Sequence, residues 1–368
     1  MPIMRALDVP VPSTQRHFMA AIETGAETLF PGYFALVMAT SAVSIASFLL
    51  GYLLVAHALV GLNWLFYLCL WALTLVRFVR FPRRVVDDLF DHQRAPGFFT
   101  LVAATCMLAT QTILIAGGDA VGSCLWWFGL CLWFVIMYAF FTAVTIRQHK
   151  PTLAAGINGA WLIAAVATQS IVASRGAVDG LSAPSPPIQF LCIAMFMIGC
   201  MLYLAIIPLI FYRLTFVRLA SRDFSPPYWI NMGAVAITTL AGATLILRIG
   251  HWPVLAPIAP FLPGFTLFFW AASTWWIPLL IALMAWRYVI RREVPSYEPA
   301  LWGMVFPLGM YTTATFQLSR ALGLDFLADI SRGFIFLALA AWLAVFLGLL
   351  GHLWTCAQPS HAGQIARR

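Results

Sequence analysis

Apolar residues run through this chain in ten stretches, each close to the ~20 residues that cover a hydrocarbon core. They fall near 30–50, 58–79, 97–117, 122–146, 154–174, 188–212, 226–247, 262–286, 299–319 and 333–355. Helices are the open-chain solution inside lipid, because every backbone donor and acceptor is satisfied within the segment. The pattern therefore predicts an all-α membrane protein with ten transmembrane helices. Ahead of them, residues 13–29 mix polar positions with Phe18, Met19, Ile22 and Leu29, which predicts a helix lying along the membrane surface. Residues 1–29 form an N-terminal segment, 30–355 the membrane domain and 356–368 a tail.

Alternate spans differ in texture. The odd ones are rich in small and hydroxyl residues, as in FPGYFALVMATSAVSIAS, AAGINGAWLIAAVATQSIVAS and PPYWINMGAVAITTLAGATL. The even ones are bulky, as in SCLWWFGLCLWFVIMYAFF and GFTLFFWAASTWWIPLLIAL. Small residues let helices approach closely, while large side chains suit lipid. The simplest arrangement is an inner ring of odd helices wrapped by even ones, built from five quasi-repeated hairpins. CMLATQTIL at 106–114 and AAVATQSIV at 164–172 echo one another in the third and fifth spans.

Composition agrees with this reading. Hydrophobic residues make up 62% of the 368 and charged ones 9%, against about 25% charged in soluble domains. The net charge of +8 does not imply nucleic-acid binding, because the bases lie between apolar spans. With ten spans, all bases but Arg175, Arg248, Arg320 and Arg332 fall on the side of the two termini. The positive-inside bias then places both termini in the cytoplasm of a plasma-membrane protein. The cysteines form no CxxC or Cys/His cluster, so no metal site, disulfide framework or cofactor is indicated.

The most informative stretch is WGMVFPLGMYTTATFQL at 302–318. Pro307 removes a backbone donor in mid-span and predicts a bend, with Phe306 held there either as a gate or as a packing aromatic. Spacings of three and four select one helix face. They pick out Thr40, Ser44 and Ser47 in the first span, Asn158 and Gln169 in the fifth, Asn231 and Thr238 in the seventh, and Gly309, Thr313 and Gln317 in the ninth. Such a neutral lining offers donors to an anion without a fixed cation to trap it. The same residue types also serve as hydrogen-bonding glue between helices. Gln111, Gln169 and Gln317 sit at similar depths and predict a partial amide ring. The basic segment Arg77–Arg94 is expected to concentrate anions at the cytoplasmic mouth.

FPGYFALVMATSAVSIAS, PPYWINMG and WGMVFPLGMYTTAT resemble the tellurite-resistance/dicarboxylate transporter family over residues 28–355. That family includes bacterial TehA-like proteins, fungal malate permeases and sulfite pumps, and plant guard-cell slow anion channels. The resemblance implies five hairpins around one pore per subunit, a homotrimer, and a resting pore closed by a phenylalanine matching Phe306. Two features depart from the family pattern: only the ninth of the inner spans carries a mid-span proline, and Ser41-Ala42 stand where many members have glycine and an aliphatic residue.

The expected function is passage of small anions or organic acids: chloride, nitrate, C4-dicarboxylates such as malate, sulfite or tellurite. The alternative is a proton-coupled dicarboxylate carrier or sulfite exporter using the peripheral Glu23, Glu27, Asp87 or Glu298. The odd spans hold no ionisable residue of the kind that marks proton relays, and no nucleophile–base pair that would make the chain an enzyme.

Overall fold

Five helices of this chain begin on short 3-10 turns: Pro31–Phe34, Ala95–Phe98, Gly159–Leu162, Pro226–Trp229 and Pro299–Leu301. Four of the turns carry proline in their first two positions. There the missing N–H costs nothing and the fixed φ pre-forms the turn. In the remaining one, Asn158 accepts a 2.8 Å bond from the Ala160 amide and caps it. The helices that follow are α1 (Ala35–Leu49), α3 (Phe99–Ala116), α5 (Ile163–Val178), α7 (Ile230–Leu247) and α9 (Trp302–Leu322). Between them run α2 (Leu53–Arg80), α4 (Asp119–Ile146), α6 (Pro186–Phe216), α8 (Leu262–Ala285) and α10 (Phe326–Ala357). These elements come from a computed structural model that describes residues 22–178 and 184–357. The surface helix expected over 13–29 is helical from 22 to 28, and its earlier part, like the tail from 358, lies outside the described residues.

Nine of the ten expected spans are long and apolar enough to cross a membrane among the described residues. The tenth, α9, forms a helix of 21 residues but is not one of the nine. Its Thr312, Thr313, Thr315, Gln317, Ser319 and Arg320 dilute an otherwise apolar run. Residues Val305 to Thr315 of α9 are all buried, so it needs no lipid-facing surface.

The inner and outer layers follow the texture of the sequence. α1, α3, α5 and α7 are 72–83% buried across their most apolar windows, whereas α2, α4, α6, α8 and α10 are 22–44% buried. α1 packs on α3, α3 on α5, α5 on α7, α7 on α9, and α9 returns to α1. Each even helix packs on the odd helix before it. The five 3-10 turns make a second closed circuit at the ends where the inner helices start. Glycine permits that closeness: a β-carbon on Gly97 would lie 2.6 Å from the amide nitrogen of Gly32.

Helix starts and stops explain the shifted boundaries. α5 begins after the Asn158 cap rather than at 154, because a separate turn, Leu153–Gly156, precedes it. α3 and α9 end at Gly117 and Gly323, with φ of 67° and 66°, the left-handed cap that glycine adopts without penalty. A further helix, Pro82–Phe90, has no counterpart among the expected elements. Its nine residues are too few to cross a membrane, and it carries Asp88 toward the end of α2.

Candidate functional site

A cavity of about 350 Å³ lies where the inner helices end. All five contribute to its wall: Ile45 from α1, Met107 and Thr110 from α3, Ser170 and Ser174 from α5, Ile237 and Thr244 from α7, Thr313 and Gln317 from α9. The wall is graded along each helix. On α9 the order from floor to rim is Met310, Thr313, Gln317, Arg320; on α7 it is Ile237, Leu240, Thr244, Arg248. The spacing of three and four keeps each series on one face.

Phe306 lies one turn below Met310 on that same face of α9, about 6 Å along the axis. Its side chain is 1% exposed. It faces Gly233 of α7, where an added β-carbon would meet Pro307 Cγ at 2.7 Å and Phe306 Cε1 at 3.3 Å. Gly233 itself falls on the face of α7 that carries Ile237, Leu240 and Thr244. The floor of the cavity therefore sits against a packed layer that includes Phe306.

The hydroxyls on the wall are turned back on their own helices. Ser170 donates to the Val166 carbonyl at 2.7 Å, Thr244 to Leu240 at 2.9 Å, and Thr313 to Gly309 at 3.1 Å. Their protons are engaged by backbone carbonyls. An anion there must compete for each proton, so any contact is weak, which conduction requires.

Of the residues expected to line a path, Thr313 and Gln317 do line the cavity. The others make contacts of their own. Thr40 accepts from Trp342 Nε1 of α10 at 3.0 Å, and Ser44 donates to the Ala56 carbonyl of α2 at 2.9 Å. With Ser47, which donates to Val43 at 2.8 Å, they lie roughly 100–160° around α1 from Ile45. Asn231 and Thr238 share the side of α7 that carries Gly242, which packs on Thr266 of α8. Gly309 packs on Ala42 and Val43 of α1. Asn158 is the cap at the other end of α5.

The amide ring is not assembled. Gln111 Oε1 accepts from Asn63 at 2.8 Å and Ser41 at 3.2 Å, binding α3 to α2 and α1. Gln169 Nε2 donates to the Phe196 carbonyl of α6 at 3.0 Å, over Gly199. Buried amides find such partners because an unsatisfied one is costly in an apolar layer. Gln317 alone of the three reaches the wall.

The segment Arg77–Arg94 is no simple anion collector. Arg77 and Arg94 each bind Asp88 at 2.5 Å, and Arg84 and Arg80 pair with Glu27 and Glu23 at 3.3 and 3.4 Å. Nearby, burial and the Arg147 guanidinium hold the His92 imidazole below its ordinary range. Among the described residues the rim of the cavity carries Arg248, His251 and Arg320, and Arg248 Nη2 donates to the Gly176 carbonyl at 2.5 Å. These three were missed as candidates because each sits past the apolar part of its span. Among the described residues no cluster of three metal-ligating side chains occurs.

A closed ring of small-residue helices, jacketed by bulky apolar ones and enclosing a cavity touched by every ring member, defines a membrane transport protein. The chain belongs to the voltage-dependent anion channel family (SLAC1), whose model matches residues 28–350. An uncharacterized membrane protein of Mycobacterium tuberculosis is 38% identical over 152 residues, covering 41% of this chain and 77% of its own. An uncharacterized transporter of Methanocaldococcus jannaschii is 24% identical across 88% of this chain and 94% of its own. A sulfite efflux pump of Trichophyton rubrum is 25% identical across 86% and 88%. The likeness drawn from the FPGYF and FPLG segments thus holds at the level of the family.

Proposed function

We propose that the chain passes small anions across the plasma membrane through the ring of α1, α3, α5, α7 and α9, with Phe306 as the plug. The single observation that carries this is the cavity wall: all five inner helices contribute, and the floor ends one turn above a buried Phe306. On this reading α9 crosses as a tenth span and the base-rich 3-10 end faces the cytoplasm. The cavity then opens outward. Subunits associate as trimers through the apolar outer helices, as the family resemblance implies. Transport rather than catalysis is the role, since the cavity wall holds no nucleophile with a base beside it.

The names of the fungal relatives favour sulfite among the substrates. Chloride, nitrate and malate remain within the same class. A proton-coupled exporter would need an ionisable relay along the path. Among the described residues the wall offers His251 at its rim and no carboxylate, which favours an uncoupled path.

The test is anion efflux from proteoliposomes, comparing the parent with Phe306→Ala. The variant is expected to raise sulfite and chloride flux at least tenfold at equal insertion. A folded variant as silent as the parent removes Phe306 from the path. Imposing a pH gradient should leave the flux unchanged; acceleration by inward protons would support the coupled exporter instead.

A further inference from the structure

We propose that the ends of α6 and α8 form a docking surface for an anionic phospholipid. Its headgroup phosphate is taken by Arg218, Arg291 and Arg292, and its acyl chains lie along Phe216, Val289 and Ile290. The surface stands apart from the cavity, at the end of the molecule where the inner helices start.

The charges are the first observation. All three arginines are exposed, and among the described residues none has a carboxylate within ion-pair distance. Neighbouring arginines of the same loops are engaged. Arg287 donates to Glu293 at 2.7 Å and to the Phe224 carbonyl at 2.6 Å, and Arg213 to the Ala154 carbonyl at 2.7 Å. Besides Glu293, the two loops hold the acids Asp223 and Glu298; Asp223 accepts from the Ala220 amide at 3.2 Å. Arg291 lies over the Trp286 ring at 5.7 Å, which places its charge without neutralising it.

The backbone is the second. α8 runs on into a π-turn, Trp286–Ile290, closed by the Arg291 amide on the Trp286 carbonyl at 2.9 Å. The left-handed position that follows holds Arg292, with φ of 56°, where α3 and α9 have glycine. A residue with a β-carbon is strained there, and no bond of the Arg292 side chain accounts for the choice.

Apolar surface is the third. Phe216, Val289, Ile290 and Val294, beside these arginines, are each at least 70% exposed. α6 has 31 residues and α8 with its turn 29, against about 20 for a hydrocarbon core. Both helices therefore reach the headgroup level, where such side chains meet lipid. A guanidinium fork matches a phosphate, and each base close to an anionic lipid surface adds about fivefold in affinity. The Arg287–Phe224 bond ties the two loops together. One loop leads into α7 and the other into α9, so a bound headgroup bridges the segments that run to Gly233 and Phe306.

The experiment is native mass spectrometry of the full chain in a neutral detergent, titrated with dioleoyl phosphatidylglycerol or dioleoyl phosphatidylcholine. Phosphatidylglycerol is expected to bind about tenfold more tightly or better. Arg218→Gln, Arg291→Gln and Arg292→Gln should each weaken it about fivefold, and the triple variant should lose the preference. Arg83→Gln, at an exposed position of the helix Pro82–Phe90, should change nothing. Arg292→Gly should weaken phosphatidylglycerol as Arg292→Gln does, yet raise Tm by relieving the left-handed strain. Millimolar glycerol phosphate, which lacks acyl chains, should not displace the lipid. Equal binding of the two lipids by the parent would overturn the proposal. So would undiminished binding by the triple variant, or a loss with Arg83→Gln as large as with Arg292→Gln. Displacement by glycerol phosphate would replace the lipid with a free phosphate. A triple variant that binds phosphatidylglycerol like the parent but changes oligomeric state would make the patch a contact between copies. Binding is read without transport, so this result stands or falls separately from the Phe306 plug.

Discussion

Gly233 of α7 supplies the space that Phe306 of α9 occupies: a β-carbon at Gly233 would stand 3.3 Å from Phe306 Cε1 and 2.7 Å from Pro307 Cγ. The ring edge can swing, but the proline Cγ is held by the helix backbone. Gly233→Ala should therefore press Phe306 out of its resting place. Overpacking of this kind costs about 1–3 kcal/mol. The expected result is a raised basal chloride flux in proteoliposomes, smaller than that of Phe306→Ala, with a lowered Tm. Added to Phe306→Ala, it should change flux little. Lost stability with flux at the parent level would separate this packing from gating.

Thr40 was a candidate for the path and serves instead to hold α10 to α1 through Trp342 Nε1. Trp342→Phe should lower stability by about 1 kcal/mol, the usual net worth of a hydrogen bond. Thr40→Val should cost a similar amount and add little in the double variant, because both remove one interaction. Anion permeability ratios should not move in either. A shift in those ratios with Thr40→Val would return the residue to the conduit.

The wall hydroxyls make the opposite prediction. In a Phe306→Ala background, Ser170→Ala and Thr313→Val together should cut sulfite flux by roughly 2–10-fold, as expected for one or two weak hydrogen bonds. Ser44→Ala, which severs a bond to α2, should leave flux intact and reduce thermal stability. Flux in the Ser170→Ala/Thr313→Val variant equal to that of Phe306→Ala alone would mean that the hydroxyls of the wall never donate to the passing ion.

Why the sequence separated inner from outer helices but not the faces of each inner helix follows from these same residues. Small and hydroxyl side chains mark a helix that packs closely on others, and that signal separated inner from outer helices. It does not mark which side of the helix faces the axis. In α1 the polar stripe Thr40–Ser44–Ser47 was the obvious choice, yet α2 and α10 supply its partners. The face toward the cavity presents Ile45 instead. In α5 the long amide of Gln169 reached over Gly199 to α6, leaving the less conspicuous Ser170 and Ser174 on the wall. Thr313 and Gln317 of the buried helix α9 stand on the cavity wall. The rim bases escaped notice because a basic residue past an apolar run reads as a topology marker.

Asp88 illustrates a feature that apolar periodicity does not reveal at all. The short helix Pro82–Phe90 folds back so that its carboxylate meets Arg77 and Arg94, each at 2.5 Å. The Arg77 and Asp88 side chains are only 6% and 8% exposed. Arg77 Nη1 also donates to the Ala26 carbonyl at 2.9 Å and to that of Glu27, anchoring the segment before α1. Removing one partner of a buried pair leaves the other charge uncompensated, which costs about 3–5 kcal/mol. Asp88→Asn should therefore lower Tm sharply in nanodiscs and free residues 22–28 to limited proteolysis. Asp87→Asn, at the exposed neighbouring position, should change stability by no more than about 0.5 kcal/mol. If the two variants proved equally stable, Asp88 would not be what holds this end of the ring together.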